Sequence, residues 1–147
     1  SYSVCDISAD CYFEELRQDF EGAYYGMYFL ELADYCTREN NDEREVLKLL
    51  YQSLRALTVK SIPRRLVRCI YEIRLIVANG EFPGLPQGNF SETALYAVEF
   101  IAGTPVEKLY TFTLKEEVLA ELVQIAEKYR RDFLPGEFHT LEILETL

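Results

Sequence analysis

Between residues 55 and 74 stand Arg55, Lys60, Arg64, Arg65, Arg68 and Arg74 against the single acid Glu72, a local charge of +5 in a chain of net charge −10. The rest of the chain therefore carries −15. Arginine pairs carboxylates in planar two-point geometry, so this density points to recognition of acidic groups. Arg64 and Arg68 lie four apart with Glu72 four further on; on a helix they form a ridge beside the apolar Leu66, Ile70 and Ile73. A basic ridge bordering a hydrophobic groove suits an acidic peptide with an apolar end. The same arginines could instead be consumed in ion pairs with the chain's own acidic helices, and on the sequence alone both readings stand.

Other chemistry is sparse. There is no Gly-rich phosphate loop, no H-E-x-x-H and no G-x-S-x-G. His139 is the single histidine and reads as a residue at a helix start rather than a catalyst. Cys5, Cys11, Cys36 and Cys69 form no C-x-x-C pair, too little for a structural zinc site, and read as small buried hydrophobes in a reducing cytosol. The pairs Glu14-Glu15 and Glu116-Glu117 fall in first helical turns, where carboxylates favour the helix dipole. Tyr24, Tyr25, Tyr28, Phe29 and Tyr35 could stack on bases, but on a helix apolar nearly all round they read as core. No catalytic residue, metal or cofactor is expected, and the function expected is not enzymatic.

The elements that must position the arginines are helical. Alternation over 1–7 suits a short extended segment without an obvious partner. Helices are expected over 9–20 (Phe13, Leu16 and Phe20 on one face), over 21–37 as the central helix, and over 43–59 with the stripe Val46, Leu47, Leu50, Leu54 and Leu57. Asn40-Asn41-Asp42 supplies caps between the last two. The basic helix, over 62–79, is bounded by a Ser61 cap, Pro63 in its first turn and Gly80 after its end, and buries Leu66, Ile70, Ile73 and Val77. The segment 81–88 carries two prolines and two glycines and is a loop. Ser91 caps a helix over 92–102, and Thr113 with Glu116 forms a capping box opening a long helix to Phe133. After the Pro135-Gly136 break, Leu141, Ile143, Leu144 and Leu147 mark a terminal helix.

At 147 residues, 49% hydrophobic and 27% charged, the chain suits one folded core: an all-α, compact orthogonal bundle of about six or seven helices with a short extended N-terminal segment. The acidic balance (pI about 4.6) argues against strong binding to a phosphate backbone. The absence of a signal peptide or an apolar run of membrane length predicts a soluble, cytoplasmic protein with no membrane partner. A first residue Ser1 rather than Met suggests that a longer chain has lost its start.

The stretches FEELRQDFEGAYYGMYFLELADYC over 13–36, LLYQSLRAL over 49–57 and RRLVRCIYEIRLIVANGEFPGL over 64–85 together resemble the helical C-terminal domain of the RecO recombination mediator family. The resemblance is expected to run to Leu147, dividing the chain into 1–7, a remnant of a missing N-terminal OB-fold, and 8–147, the helical domain. It implies a role in DNA repair and recombination. Its partners would be the acidic tail of single-strand DNA-binding protein and RecR, with single-stranded DNA contacted weakly or through the missing domain. Many family members hold zinc through cysteine pairs after a Gly-x-x-Pro element. Here Gly80-Glu81-Phe82-Pro83 is followed by no cysteine at all, so zinc is not carried over and packing must hold the loop. Combined with the charge map, the resemblance implies Arg64 and Arg68 as carboxylate partners, Arg65 and Arg74 as outer charges, and Leu66 and Ile70 as the apolar border. Arg68→Glu is then expected to abolish peptide binding with little change in fold.

The alternative is an unrelated acidic helical enzyme or regulator, which requires a pocket with perturbed titratable groups away from the 62–79 helix.

Overall fold

The computed structural model describes residues 19–39, 43–134 and 138–146. The expected extended segment 1–7, most of the helix over 9–20, the Asn40-Asn41-Asp42 caps, Pro135-Gly136, Leu147, Cys5 and Cys11 lie outside the described residues.

Six α-helices make up the described chain: α1 (Phe20–Glu39), α2 (Glu43–Leu57), α3 (Arg64–Ala78), α4 (Glu92–Gly103), α5 (Glu116–Phe133) and α6 (His139–Thr146), with a 3-10 turn at Val106–Lys108 between α4 and α5. No strand occurs among the described residues, and the fold is all-α as expected. Among the described residues no helix is long and apolar enough to cross a membrane.

The central helix is α3, not the aromatic helix expected in that place. It packs against α5, α2, α4 and α1 and buries Leu66, Val67, Cys69, Ile70, Tyr71, Glu72, Ile73, Leu75 and Ile76, most of its circumference. In α1, by contrast, Met27 and Leu30 remain exposed while Tyr28, Phe29, Leu32 and Cys36 face the core. Among the described residues α1 packs principally on α2 and α6, and its apolar positions outnumber the partners these offer. Phe29 stacks on Tyr71 with centroids 4.2 Å apart, and the Tyr71 hydroxyl donates to the Phe29 carbonyl at 2.6 Å, locking α1 to α3.

Helix ends show which local signals prevailed. Asp19 caps α1, its Oδ1 accepting from the Gly22 amide at 3.1 Å. Helix α2 stops at Leu57, two residues before the expected end, where Thr58 bonds back to the Arg55 carbonyl. On α2, Leu49 takes the buried place and Leu47 lies outside. Ser61 does not cap α3. The helix begins after Pro63, whose extended ψ of 135° places it at the N-cap without a side-chain bond, because a proline disfavours helical geometry in the residue before it. Gly80 ends α3 as expected: at φ 76° its amide reaches the Val77 carbonyl while Glu81 reaches Ile76, the paired bonds of a Schellman motif. Ser91 caps α4 through the Ala94 amide at 3.2 Å. The Thr113–Glu116 capping box does not form; Lys115 occupies the N-cap, and Glu116 becomes the first helical residue. The half-buried Phe112 and Leu114 hold this approach extended against the core.

The 81–90 loop is held by packing. Phe82 meets the Tyr129 ring edge-on, the Tyr129 hydroxyl donates to the Gly84 carbonyl at 2.6 Å, and Gly88, at φ 125°, lies against the Phe90 ring.

Candidate protein-interaction site

Helical spacing on α3 sends Arg65, Arg68 and Glu72 toward the side where α1, α5 and α6 converge. There the structure forms a cleft of about 180 Å³. Tyr25 of α1 and Arg65, Arg68, Cys69 and Glu72 of α3 line one side; Val123 and Glu127 of α5 and Glu145 of α6 line the other.

Its inner wall is an ion cluster around Glu72, whose side chain is 3% exposed. A carboxylate so buried is tolerated only with charge partners and hydrogen bonds. Glu72 Oε2 accepts from Tyr28 Oη at 2.5 Å and Arg68 Nε at 3.2 Å, and Arg130 Nε lies 3.6 Å away. The Arg68 guanidinium also lies 5.3 Å from the centroid of the Tyr28 ring. Burial works against the Arg68 charge, but Glu72 and Tyr28 outweigh it and hold its pKa above the ordinary value. Burial, then Glu72, push the Tyr28 hydroxyl far above its usual range, so it stays a donor. Glu145 closes the cluster at its open end, 3.6 Å from Arg130 Nη2 and 4.0 Å from Arg68 Nη2.

The six sequence-derived residues separate in space. Arg65 and Arg68 line the cleft together; Arg65 is 54% exposed, with Glu116 at 3.9 Å. Arg64 turns to the start of α1, pairing Asp19 at 2.5 Å and Glu21 at 3.5 Å, and these bonds hold Asp19 below and Arg64 above their ordinary values. Arg74 is not an outer charge. Its Nη1 donates to the carbonyls of Ile101, Thr104 and, at 3.3 Å, Ala102, satisfying the end of α4, and burial lowers its pKa. Leu66 and Ile70 border no groove: both are fully buried, as α3's central position requires. Arg68→Glu is no longer a fold-neutral change, since it would set a second carboxylate against buried Glu72. Of the two readings left open for the arginines, internal ion pairing holds for Arg64 and Arg68.

Arg130 and Glu145 carry no signal in the sequence reading, and Tyr28, read there as a core aromatic, also donates to Glu72. Arg130 looks like any cation in a helix's last turn. The usable signal was Glu72: one acid inside a basic, otherwise apolar helix is an acid with partners.

Among the described residues no group of three His, Cys, Asp or Glu side chains could hold a metal ion. Cys69 is buried in the cleft wall, and burial drives its thiol pKa up.

A family model described as "Recombination protein O C terminal" matches residues 17–88, so the match ends in the loop after α3 rather than at Leu147. A "DNA repair protein RecO" of Caldicellulosiruptor saccharolyticus is 29% identical over 86 residues, 58% of this chain and 35% of that protein. A "DNA repair protein RecO" of Caldicellulosiruptor bescii is 36% identical over 81 residues, 55% of this chain and 33% of that protein. The matched parts thus span about a third of the length of these relatives. No solved structure matches. The matched stretch contains α1, α2 and α3, including the residues that build the Glu72 cluster's inner side, and over it the chain is similar to the helical C-terminal domain of the RecO family of DNA repair proteins.

Proposed function

We propose that this domain is a non-enzymatic interaction module that captures an acidic, carboxylate-bearing peptide in the cleft between α3, α5 and α6. The observation that carries the reading is the convergence of Arg65 and Arg68 on one cleft, in a chain similar over 17–88 to the RecO C-terminal helical domain. The partner proposed is the acidic tail of single-strand DNA-binding protein, with RecR as a second docking partner. Arg65 supplies the exposed charge that draws the peptide in, and Arg68 the inner fork. Arg64, tied to Asp19, contributes to the positive field rather than to direct contact.

The test is a fluorescence-anisotropy titration of the folded chain with a labelled tail peptide, with Arg65→Glu as the variant. Arg65 is exposed and its pair with Glu116 is long, 3.9 Å, so the reversal leaves the fold intact. Micromolar binding that weakens with salt and falls about tenfold or more in Arg65→Glu supports the reading. Binding indifferent to Arg65→Glu would place the peptide elsewhere.

A further inference from the structure

Two guanidiniums, Arg68 and Arg130, close on one buried carboxylate, Glu72. One positive charge is left over. Glu145, within 4.0 Å of both arginines, bridges them, whereas Glu127 lies 3.9 Å from Arg130 alone and nearer, at 3.2 Å, to Arg131. The two acids that touch both arginines, Glu72 and Glu145, differ in how they are held. Glu72 sits on the central helix, is 3% exposed and accepts from Tyr28; Glu145 is 52% exposed and stands on an eight-residue helix. That helix packs on α1, with Phe138 edge-on to Tyr28 and Tyr35, and it reaches α3 and α5 through the Glu145 ion pairs. Arg130, whose side chain is 8% exposed, has in its Nε a buried donor with no hydrogen-bond partner. The seat is thus built and charged, with one buried donor of Arg130 left unsatisfied and Glu145 held at ion-pair distances of 3.6 and 4.0 Å.

We infer that Glu145 is the resting occupant of an anion seat formed by Arg68 and Arg130, and that a carboxylate of an acidic peptide enters the cleft by displacing it. This rests on the function proposed above and adds two residues to it, Arg130 as the second arginine of the seat and Glu145 as its internal competitor. Exchange of one carboxylate for another leaves the charge of the cluster unchanged, so neither the empty nor the doubly filled seat has to be populated. An occupant held by half-exposed ion pairs is a weak competitor, since such pairs contribute little in water. Its removal raises the fraction of molecules with an open seat and so the apparent affinity.

The experiment compares Glu145→Gln with Glu142→Gln in the anisotropy titration with a labelled acidic peptide. Both changes remove one negative charge from exposed positions of the same helix, but Glu142 faces His139 at 4.0 Å and not the cleft arginines. Glu145→Gln is expected to tighten binding roughly fivefold, the scale of a half-exposed ion pair, with Glu142→Gln within twofold of the wild type. Equal tightening by both variants would show only a change in overall charge and overturns the inference. Binding lost in Arg65→Glu but unmoved by Glu145→Gln overturns it while leaving the acidic-peptide reading standing. No binding to wild type or to Glu145→Gln overturns both.

Discussion

Tyr28 and Glu72, 44 positions apart in the chain, meet at 2.5 Å, the tyrosine hydroxyl donating to the carboxylate. This bond joins the aromatic helix α1 to the charged side of α3 and fixes the carboxylate around which Arg68 and Arg130 gather. Tyr28→Phe keeps the ring and its contact with Phe138 but withdraws the donor. The expected loss is about 1.5–3 kcal/mol, the scale of a hydrogen bond to a charged group, read as a lower urea midpoint at unchanged denaturant slope. An unchanged midpoint would mean that Glu72 finds another donor without cost.

Glu72→Leu removes the buried acid and leaves two largely buried guanidiniums facing each other. Breaking a buried ion cluster from one side costs about 3–5 kcal/mol, so this variant is expected to be the less stable of the two. The check is chemical denaturation of Glu72→Leu beside Tyr28→Phe. A smaller loss for Glu72→Leu would show that the cluster contributes little beyond packing.

Arg74 and Ile70, both first read as parts of a binding surface, are expected to affect stability and not affinity. Arg74→Met strips a cation from the carbonyls at the end of α4, at about 2 kcal/mol. Ile70→Val removes one methylene from the core at about 1 kcal/mol. Both should bind acidic peptide like the wild type in the anisotropy titration. A clear loss of affinity in folded Arg74→Met would restore it to the site.

Much of the architecture was legible because its signals are local. Gly80 stops α3 because it can take the left-handed turn there, and Ser91 starts α4 because its hydroxyl reaches the Ala94 amide. Where another constraint competed, cap signals lost: Pro63 displaces the Ser61 cap, and packing of Phe112 and Leu114 displaces the Thr113 one. Which helix lies at the centre was not legible either, since α1 is the more apolar by composition but α3 has more neighbours. The site was half legible. Charge density placed Arg65 and Arg68 on the helix that lines the candidate cleft, but four-residue spacing could not tell that Arg64 turns toward Asp19. Nor could it show that Arg130 and Glu145, from the far end of the chain, complete the cluster.

One hydroxyl ties the packed 81–90 loop to α5. Tyr129→Phe removes the bond to the Gly84 carbonyl while keeping the contact with Phe82. The expected outcome is a loss of about 1 kcal/mol together with faster proteolysis within 81–90, seen by mass spectrometry of limited digests. Unchanged cleavage kinetics would show that the Phe82 and Phe90 rings hold the loop unaided.

The Arg64–Asp19 pair sets a pH dependence. Chiefly through its bond to Arg64, Asp19 titrates below its ordinary value in the folded chain. Its contribution is therefore complete above the ordinary carboxylate range and disappears as pH falls through the lowered folded value. The pair is partly exposed, so the effect is about 0.5 kcal/mol. Urea midpoints of the wild type and Asp19→Asn should differ at pH 7 and converge as the pH is lowered to about 3. A gap that stays constant across this range would contradict the assignment.

The central claim is that the α3–α5–α6 cleft receives an acidic peptide. The most direct measurement is a ¹H–¹⁵N correlation spectrum of the chain, including the arginine Nε–Hε signals, recorded while unlabelled tail peptide of single-strand DNA-binding protein is added. The account predicts that the side-chain signals of Arg65, Arg68 and Arg130 and the backbone amides of α6 shift together and saturate, while the Arg74 signal stays in place. Saturating shifts confined to another face of the domain, with these three arginines unmoved, would contradict it.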